Sequence, residues 1–200
     1  MKHVYAVVSM FLVLMANSLP VVAGQPLTES HPDLEWPELS EDVWREATPE
    51  AVQAELRAGA DVEARGGEYT STALMFAAAY NENPEVTKTL LQAGADVDAR
   101  DEDGWTALMF AARWNDNPEV TEALLAAGAD VNARAEDGWT ALMNAARWNE
   151  NPEVTEALLA AGADASAENA GGESAWDLIQ DNEALQGTSA YWRLRDLRFE

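Results

Sequence analysis

The chain has 200 residues, with 36 acidic and 12 basic side chains, a formal net charge of −24 and no cysteine. That charge excludes a surface built to hold phosphate, so neither nucleic acid nor an anionic membrane is an expected partner. The missing cysteine excludes disulfides, thiolate catalysis and Cys-based zinc sites. A basic protein partner fits the charge, and so does the plainer role of keeping the protein dispersed.

Met1-Lys2-His3 is a short basic start, and Val4 to Ala16 is an apolar run that Asn17, Ser18 and Pro20 interrupt. Val21-Val22-Ala23 then offers small residues for cleavage, so residues 1–23 have the layout of a secretory signal peptide. The alternative, a membrane anchor, needs roughly 20 apolar residues, and this run has 13. The expectation is a periplasmic or secreted protein with no membrane insertion after cleavage. Export without disulfides suits a bacterial envelope. Cleavage would leave Lys88 as the only lysine. Residues 24–40, with Pro26, Pro32 and Pro37 among acids, read as an extended acidic arm, with Trp36 and Leu39 placed to tack it onto the first helix.

Beyond the arm the chain repeats. Asp-Gly-Trp-Thr-Ala-Leu-Met runs from Asp103 to Met109 and again from Asp137 to Met143, an offset of 34 residues. The copies extend to Asp130 and Asp164 and differ only at Phe110/Asn144 and Asp116/Glu150. A period of this size means stacked supersecondary units. Gly-Ala-Asp turns recur at Gly59, Gly94, Gly128 and Gly162, each after an apolar helical stretch, where glycine suits a left-handed C′ position. Two short helices lie between successive turns. The first begins near Thr72, Thr106 and Thr140, with the threonine as cap. Asn81, Asn115 and Asn149 end it, in the left-handed conformation that asparagine tolerates. The second begins at Asn83-Pro84-Glu85, Asn117-Pro118-Glu119 and Asn151-Pro152-Glu153, with Asn as N-cap, Pro at N1 and Glu at the positive end of the helix dipole. Leu90-Leu91, Leu124-Leu125 and Leu158-Leu159 supply its buried stripe.

These motifs resemble ankyrin repeats. The family signature Thr-Pro-Leu-His-x-Ala occurs here as Thr-Ala-Leu-Met-Phe-Ala at Thr72 and Thr106, and as Thr-Ala-Leu-Met-Asn-Ala at Thr140. Proline is replaced by alanine. Histidine, which hydrogen-bonds loop backbone in the family, is replaced by methionine. The resemblance runs from about Glu41 to Asn182. It implies an all-α fold, an ankyrin-repeat solenoid of stacked helix-turn-helix units with hairpin-like fingers, capped at both ends. The expected divisions are an N-terminal capping half-repeat at 41–65, with Thr48 as N-cap and Pro49 at N1, three central repeats at 66–168, and C-terminal capping helices at 169–200. In the last division Ser174 opens a fourth first helix, and Ser189 to Leu197 forms a closing one.

Catalysis finds little support. His3 lies in the leader and His31 in the arm, so Ser/His/Asp and Cys/His arrangements are excluded from the repeats. Carboxylates are abundant but periodic, which leaves a carboxylate-dependent enzyme open as an alternative. A calcium-dependent protein stays open at Asp101-Glu102-Asp103-Gly104, although the alternating ligands of an EF-hand are absent. No cofactor is implied.

The stronger signal is aromatic. Tyr80, Trp114 and Trp148 are one repeat apart; Arg113 and Arg147 precede the tryptophans, and Trp105 and Trp139 precede the threonines. The resemblance implies a concave binding face made of Arg100, Glu102, Asp103, Trp105, Arg113 and Trp114, then Arg134, Glu136, Asp137, Trp139, Arg147 and Trp148, with Tyr80 at its start. Trp, Tyr and Arg are enriched at binding hot spots. The competing reading is that these rings and arginines simply pack between repeats. The expected function is a monomeric, non-catalytic module for a basic protein partner, with an immunity or chaperone-like role as a narrower form.

Overall fold

The structure is a computed structural model that describes residue 26, residues 40–67 and residues 70–198. The leader, Trp36 and Leu39 fall outside the described residues. Among the described residues ten helices follow in pairs: α1 (Glu41–Glu46) and α2 (Pro49–Ala58), α3 (Ala73–Tyr80) and α4 (Pro84–Gln92), α5 (Ala107–Trp114) and α6 (Pro118–Ala126), α7 (Ala141–Trp148) and α8 (Pro152–Ala160), α9 (Ala175–Ile179) and α10 (Ser189–Arg198). The segment expected to hold a capping half-repeat thus carries two helices. First helices stack in one row (α1, α3, α5, α7, α9) and second helices in another (α2, α4, α6, α8, α10).

Local chemistry explains where the helices begin. The side chains of Asn83, Asn117 and Asn151 accept from the N–H groups of Glu85, Glu119 and Glu153 at 3.1, 3.0 and 3.0 Å, each with proline at the first helical position. Thr48 caps α2 in the same way, accepting from Ala51 N–H at 3.2 Å. Thr72 and Thr140 accept from Met75 and Met143 N–H. Thr106 departs from the expectation, because Met109 N–H bonds to its carbonyl at 3.0 Å and leaves the hydroxyl without a cap bond. Gly59, Gly94, Gly128 and Gly162 end the second helices with φ between 90° and 103°, as expected for a position that excludes a Cβ.

The asparagines that end the first helices are not left-handed. Asn81, Asn115 and Asn149 are extended (φ −99°, −115° and −77°) and buried. The reason lies one repeat back. Asn115 Nδ2 donates to Ala78 O at 3.0 Å and Asn81 O at 2.9 Å. Asn149 donates likewise to Ala112 and Asn115, Asn81 to Trp44 and Ala47, and Asn182 to Ala146 and Asn149. The Oδ1 atoms of Asn81, Asn115 and Asn149 then accept from the backbone two residues on. Extended backbone aims each amide at the end of the preceding first helix, whose last carbonyls lack intrahelical partners.

Below the helices, fingers project. The first contains the antiparallel pair β1 (Arg65–Gly66) and β2 (Ser71–Thr72), in register Arg65 to Thr72. Later fingers close through single backbone bonds, such as Asp101 N–H to Trp105 O at 3.0 Å and Ala135 N–H to Trp139 O at 2.9 Å. Arginines tie finger to finger. Arg65 donates to Arg100 O at 2.6 Å, Arg100 to Arg134 O at 2.7 Å and Arg134 to Glu168 O at 2.5 Å. Met75, Met109 and Met143, which stand where the family has histidine, are wholly buried in the core. Met75 Sδ still accepts from Thr72 N–H at 3.4 Å, and the arginines add the ties from finger to finger.

The core is a row of identical layers. Leu74, Leu108 and Leu142 from the first helices, and Val86/Leu90, Val120/Leu124 and Val154/Leu158 from the second, are buried. Burial of each such side chain contributes about 1.5–3 kcal/mol. Alanines between them (Ala77/Ala78, Ala111/Ala112, Ala145/Ala146) are also buried and let the first helices approach. The second leucines of the expected stripe, Leu91 and Leu125, are only half-buried. Leu159 is covered, on the helix against which α10 packs.

At the C-terminal end, Ser174 caps α9 and its hydroxyl and backbone N–H donate to Asp177 at 2.6 and 3.0 Å. Arg198 of α10 donates to the same carboxylate at 2.5 Å. Burial opposes ionisation of Asp177, but these donors outweigh it and hold the carboxyl at about 2, below the ordinary 3.8. A carboxyl whose folded pKa is depressed stabilises the fold above its unfolded value and loses that contribution as pH falls toward the folded one. The α9–α10 closure should therefore loosen between about pH 4 and pH 2. Hydrogen exchange of α10 amides across that range checks this, and Asp177→Asn should remove the acid-dependent step.

Candidate protein-binding face

The residues that the sequence placed on a binding face come together along one side of the first-helix row, but they divide into two kinds. The arginines are engaged within the chain. Arg100 and Arg134 hold the fingers together, as above. Arg147 pairs with Asp181, one repeat on. Arg113 lies over Trp148 with its guanidinium carbon 3.6 Å from the ring centroid, and also near Trp114 (4.8 Å) and Trp105 (5.5 Å). Burial pulls Arg113 below the ordinary guanidinium value. A cation over an indole contributes about 0.5–2 kcal/mol. The remaining arginines of the described residues meet Asp42, Gln53, Glu156, Asp196 and Asp177. The arginines of this face thus also hold the chain's own repeats together.

The tryptophans differ. Trp114 and Trp148 stay 44% and 39% exposed, although each is at the end of a packed helix. Trp105 and Trp139 are half-buried beneath them, with ring centroids at 5.6 Å (Trp105–Trp114) and 4.5 Å (Trp139–Trp148). Each indole pair is one platform, the inner ring supporting the outer. Packing and exposure therefore coexist, and neither reading of these rings displaces the other. Tyr80, half-buried, closes the row at the N-terminal end; burial, with the Glu41 carboxylate beside it, pushes its phenol up to about 12.

Carboxylates rim the platforms. Glu102, Asp103, Glu136 and Asp137 are exposed at the fingertips. Asp137 also accepts from Trp139 N–H at 3.1 Å, and Glu136 N–H bonds to Asp103 O at 3.0 Å, which locks adjacent tips together. Asp101 accepts from Asp103 N–H at 3.0 Å and Trp105 N–H at 2.8 Å; burial raises its carboxyl, partly offset by these two donors. Other acids serve the stack itself. Asp96 N–H donates to Glu63, Asp130 N–H to Asp98 and Asp164 N–H to the Asn132 side chain, at 2.7–2.9 Å. Part of the acidity is therefore spent on the joints between repeats.

A groove of about 800 Å³ opens across the first two repeats. It brings together Tyr80, Asp103, Trp105, Arg113, Trp114, Glu136 and Asp137, and it does not reach Trp139, Arg147 or Trp148. It also includes Glu41, Asp101, Phe76 and Phe110, which sequence reasoning did not place on the face. The available signal was the residue after Leu-Met in the signature: Phe76 and Phe110 recur one repeat apart, and Asn144 breaks the series. Among the described residues, no group of three or more His, Cys, Asp or Glu side chains is arranged to hold a metal ion, and no helix is long and apolar enough to cross a membrane.

Stacked helix pairs with tied fingers define a solenoid scaffold. A family model for ankyrin repeats in three copies matches residues 43–135 and 74–169. The chain belongs to the ankyrin repeats. Such repeats are generally modules of protein–protein interaction and typically not enzymes. No curated protein matches the chain.

Proposed function

We propose that this chain is a monomeric, non-catalytic binding module of the periplasm or cell exterior, and that its tryptophan platforms dock a basic protein. The observation that carries the reading is the division of labour on the face: the arginines are taken up by the chain's own carbonyls, rings and carboxylates, while Trp114 and Trp148 are exposed and carboxylates line the groove beside Trp114. Such a face supplies apolar anchors and negative charge, and its complement supplies cations. Hot spots concentrate on large aromatic anchors of this kind. The apolar run at Val4 to Ala16 supports export. An immunity or chaperone-like role, in which the module occupies a basic toxin or enzyme, is the narrower form that the net charge of −24 favours.

The test is affinity capture from the cell envelope with the wild-type protein and with Trp114→Ala/Trp148→Ala. Because both rings are exposed, the double variant should keep its helical circular dichroism. It should lose the protein that the wild type retains, an effect on the order of a hundredfold for two anchors of about 1.4 kcal/mol each. Capture should also weaken as salt shortens the Debye length to about 3 Å at 1 M. Equal retention by the double variant would remove the platforms from the interface.

A further inference from the structure

The repeats are alike enough that a single difference between them is informative. Arg113 at the end of α5 reaches forward and lies 3.6 Å from the ring of Trp148, the outer tryptophan of the next repeat. One repeat earlier, the residue that would reach Trp114 in the same way is position 79, and it is alanine. Among the described residues, the cation over the Trp114 ring is Arg113 of its own helix, at 4.8 Å, and Trp114 lines the open groove together with Trp105, Phe110, Phe76 and Tyr80. The groove does not extend to the outer ring of the next repeat. Asn144 replaces the phenylalanine and is turned inward onto Thr140 O at 3.0 Å, Trp139 stacks on Trp148, and Arg113 covers it.

We infer that the groove seats the cationic side chain of an arginine or lysine from a basic segment of the partner, over the face of Trp114, in the position that Arg113 fills over Trp148. The inference rests on the proposed docking of a basic protein and names the element recognised. Charge complementarity selects the occupant. Five rings offer π faces, and Glu41, Asp101, Asp103, Glu136 and Asp137 line the same groove against Arg113 alone. An enclosed aromatic surface with a carboxylate rim attracts a cation more strongly than either feature alone. The chain's own arm carries Glu29, Asp33, Glu35 and Glu38, and a second copy is as acidic as the first, so both would bring like charge to the rim.

The experiment is fluorescence anisotropy of labelled hexaarginine and hexalysine, with hexaglutamate as control, against the full chain in about 150 mM NaCl, where screening reaches about 8 Å. The wild type should bind both cationic peptides and not hexaglutamate. Ala79→Arg supplies the cation internally, and arginine already occupies the equivalent site at 113 and 147, so this variant should fold and bind about tenfold more weakly. Phe110→Asn, which copies the third repeat, and Trp114→Ala should weaken binding by a similar factor. Trp192→Ala, an exposed ring at the far end, should leave it unchanged. Equal affinity for all variants would mean non-specific attraction to an acidic surface and overturns the inference. So does a tenfold gain on replacing Trp36 and Leu39 by alanine, which would make the arm the occupant, or a wild-type dimer that Phe110→Asn dissociates. If capture of the native protein depends on Trp114 and Trp148 but not on Phe110 or Ala79, the docking face stands and the cation seat falls.

Discussion

Replacing Asn115 with alanine should destabilise the protein by about 3–5 kcal/mol, the largest loss expected from any single truncation here. The side chain is 2% exposed and makes three hydrogen bonds: Nδ2 to Ala78 O and Asn81 O, and Oδ1 from Asn117 N–H. Alanine leaves those buried carbonyls without their donor and the N–H of half-buried Asn117 without its acceptor, and each orphaned buried group costs about 1–3 kcal/mol. Asn115→Asp should be no better, because it points a carboxylate oxygen at two carbonyl oxygens. The position joins repeats, and a solenoid's stability is a sum of repeat and neighbour-interface contributions. The loss therefore falls on the joint between α3 and α5, and the urea transition should broaden or split as well as shift. Equilibrium unfolding followed by circular dichroism measures it. A loss below about 1 kcal/mol would show that the ladder adds little beyond packing.

Two glycine substitutions should behave very differently although both residues have positive φ. Gly128 (φ 94°) faces open space, with nothing within 4 Å of an added Cβ. Gly128→Ala carries only the left-handed penalty of about 1–2 kcal/mol. Gly138 (φ 82°) sits where the next finger passes. An added Cβ would lie 3.2 Å from Ala170 N and 3.2 Å from Asn169 Cα, both backbone, and 2.9 Å from an Arg134 nitrogen. Those contacts belong to the joint made by Ala170 N–H to Asp137 O at 2.8 Å and by Arg134 to Glu168 O. Gly138→Ala should add the cost of parting the fingers to the strain, for a total of about 3–4 kcal/mol. Parallel chemical denaturation of the two variants tests the difference. Equal losses would mean that the fingers shift at no cost.

What could be read from the sequence was local in the chain. The period, the Asn-Pro-Glu helix starts and the Gly-Ala-Asp turns depend on neighbours within a few residues, and they stand in the structure as expected. Features that depend on the next repeat were assigned differently. Asn81, Asn115 and Asn149 read as left-handed terminators because asparagine tolerates that region, yet their partners lie 34 and 37 residues away. The resemblance implies a contact role for Arg100, Arg134 and Arg147, and the structure adds that each bonds to a group one repeat on. The same limit hides the groove, since Phe76 and Phe110 are separated in sequence and line one groove only when α3 and α5 stack. A reading by residue type finds the repeating unit, and the joints between units appear only when copies are laid side by side.

The asparagine ladder has a further consequence for how such a chain can change length. Each member accepts at its carbonyl the amide of the next and donates to the carbonyl of the one before, from Asn81 through Asn115 and Asn149 to Asn182. In this ladder the joints on either side of Asn115 are thus the same, and neither records which number it is. An extra 34-residue block inserted in phase finds its acceptors and donors already in place, and a deleted block leaves compatible neighbours behind. The near-identical second and third repeats are what such a self-matching coupling permits: growth by copying, with no compensating change at the seam. Novelty is then confined to residues that leave the coupling untouched, and position 110, where the copies differ along the open groove, is of that kind.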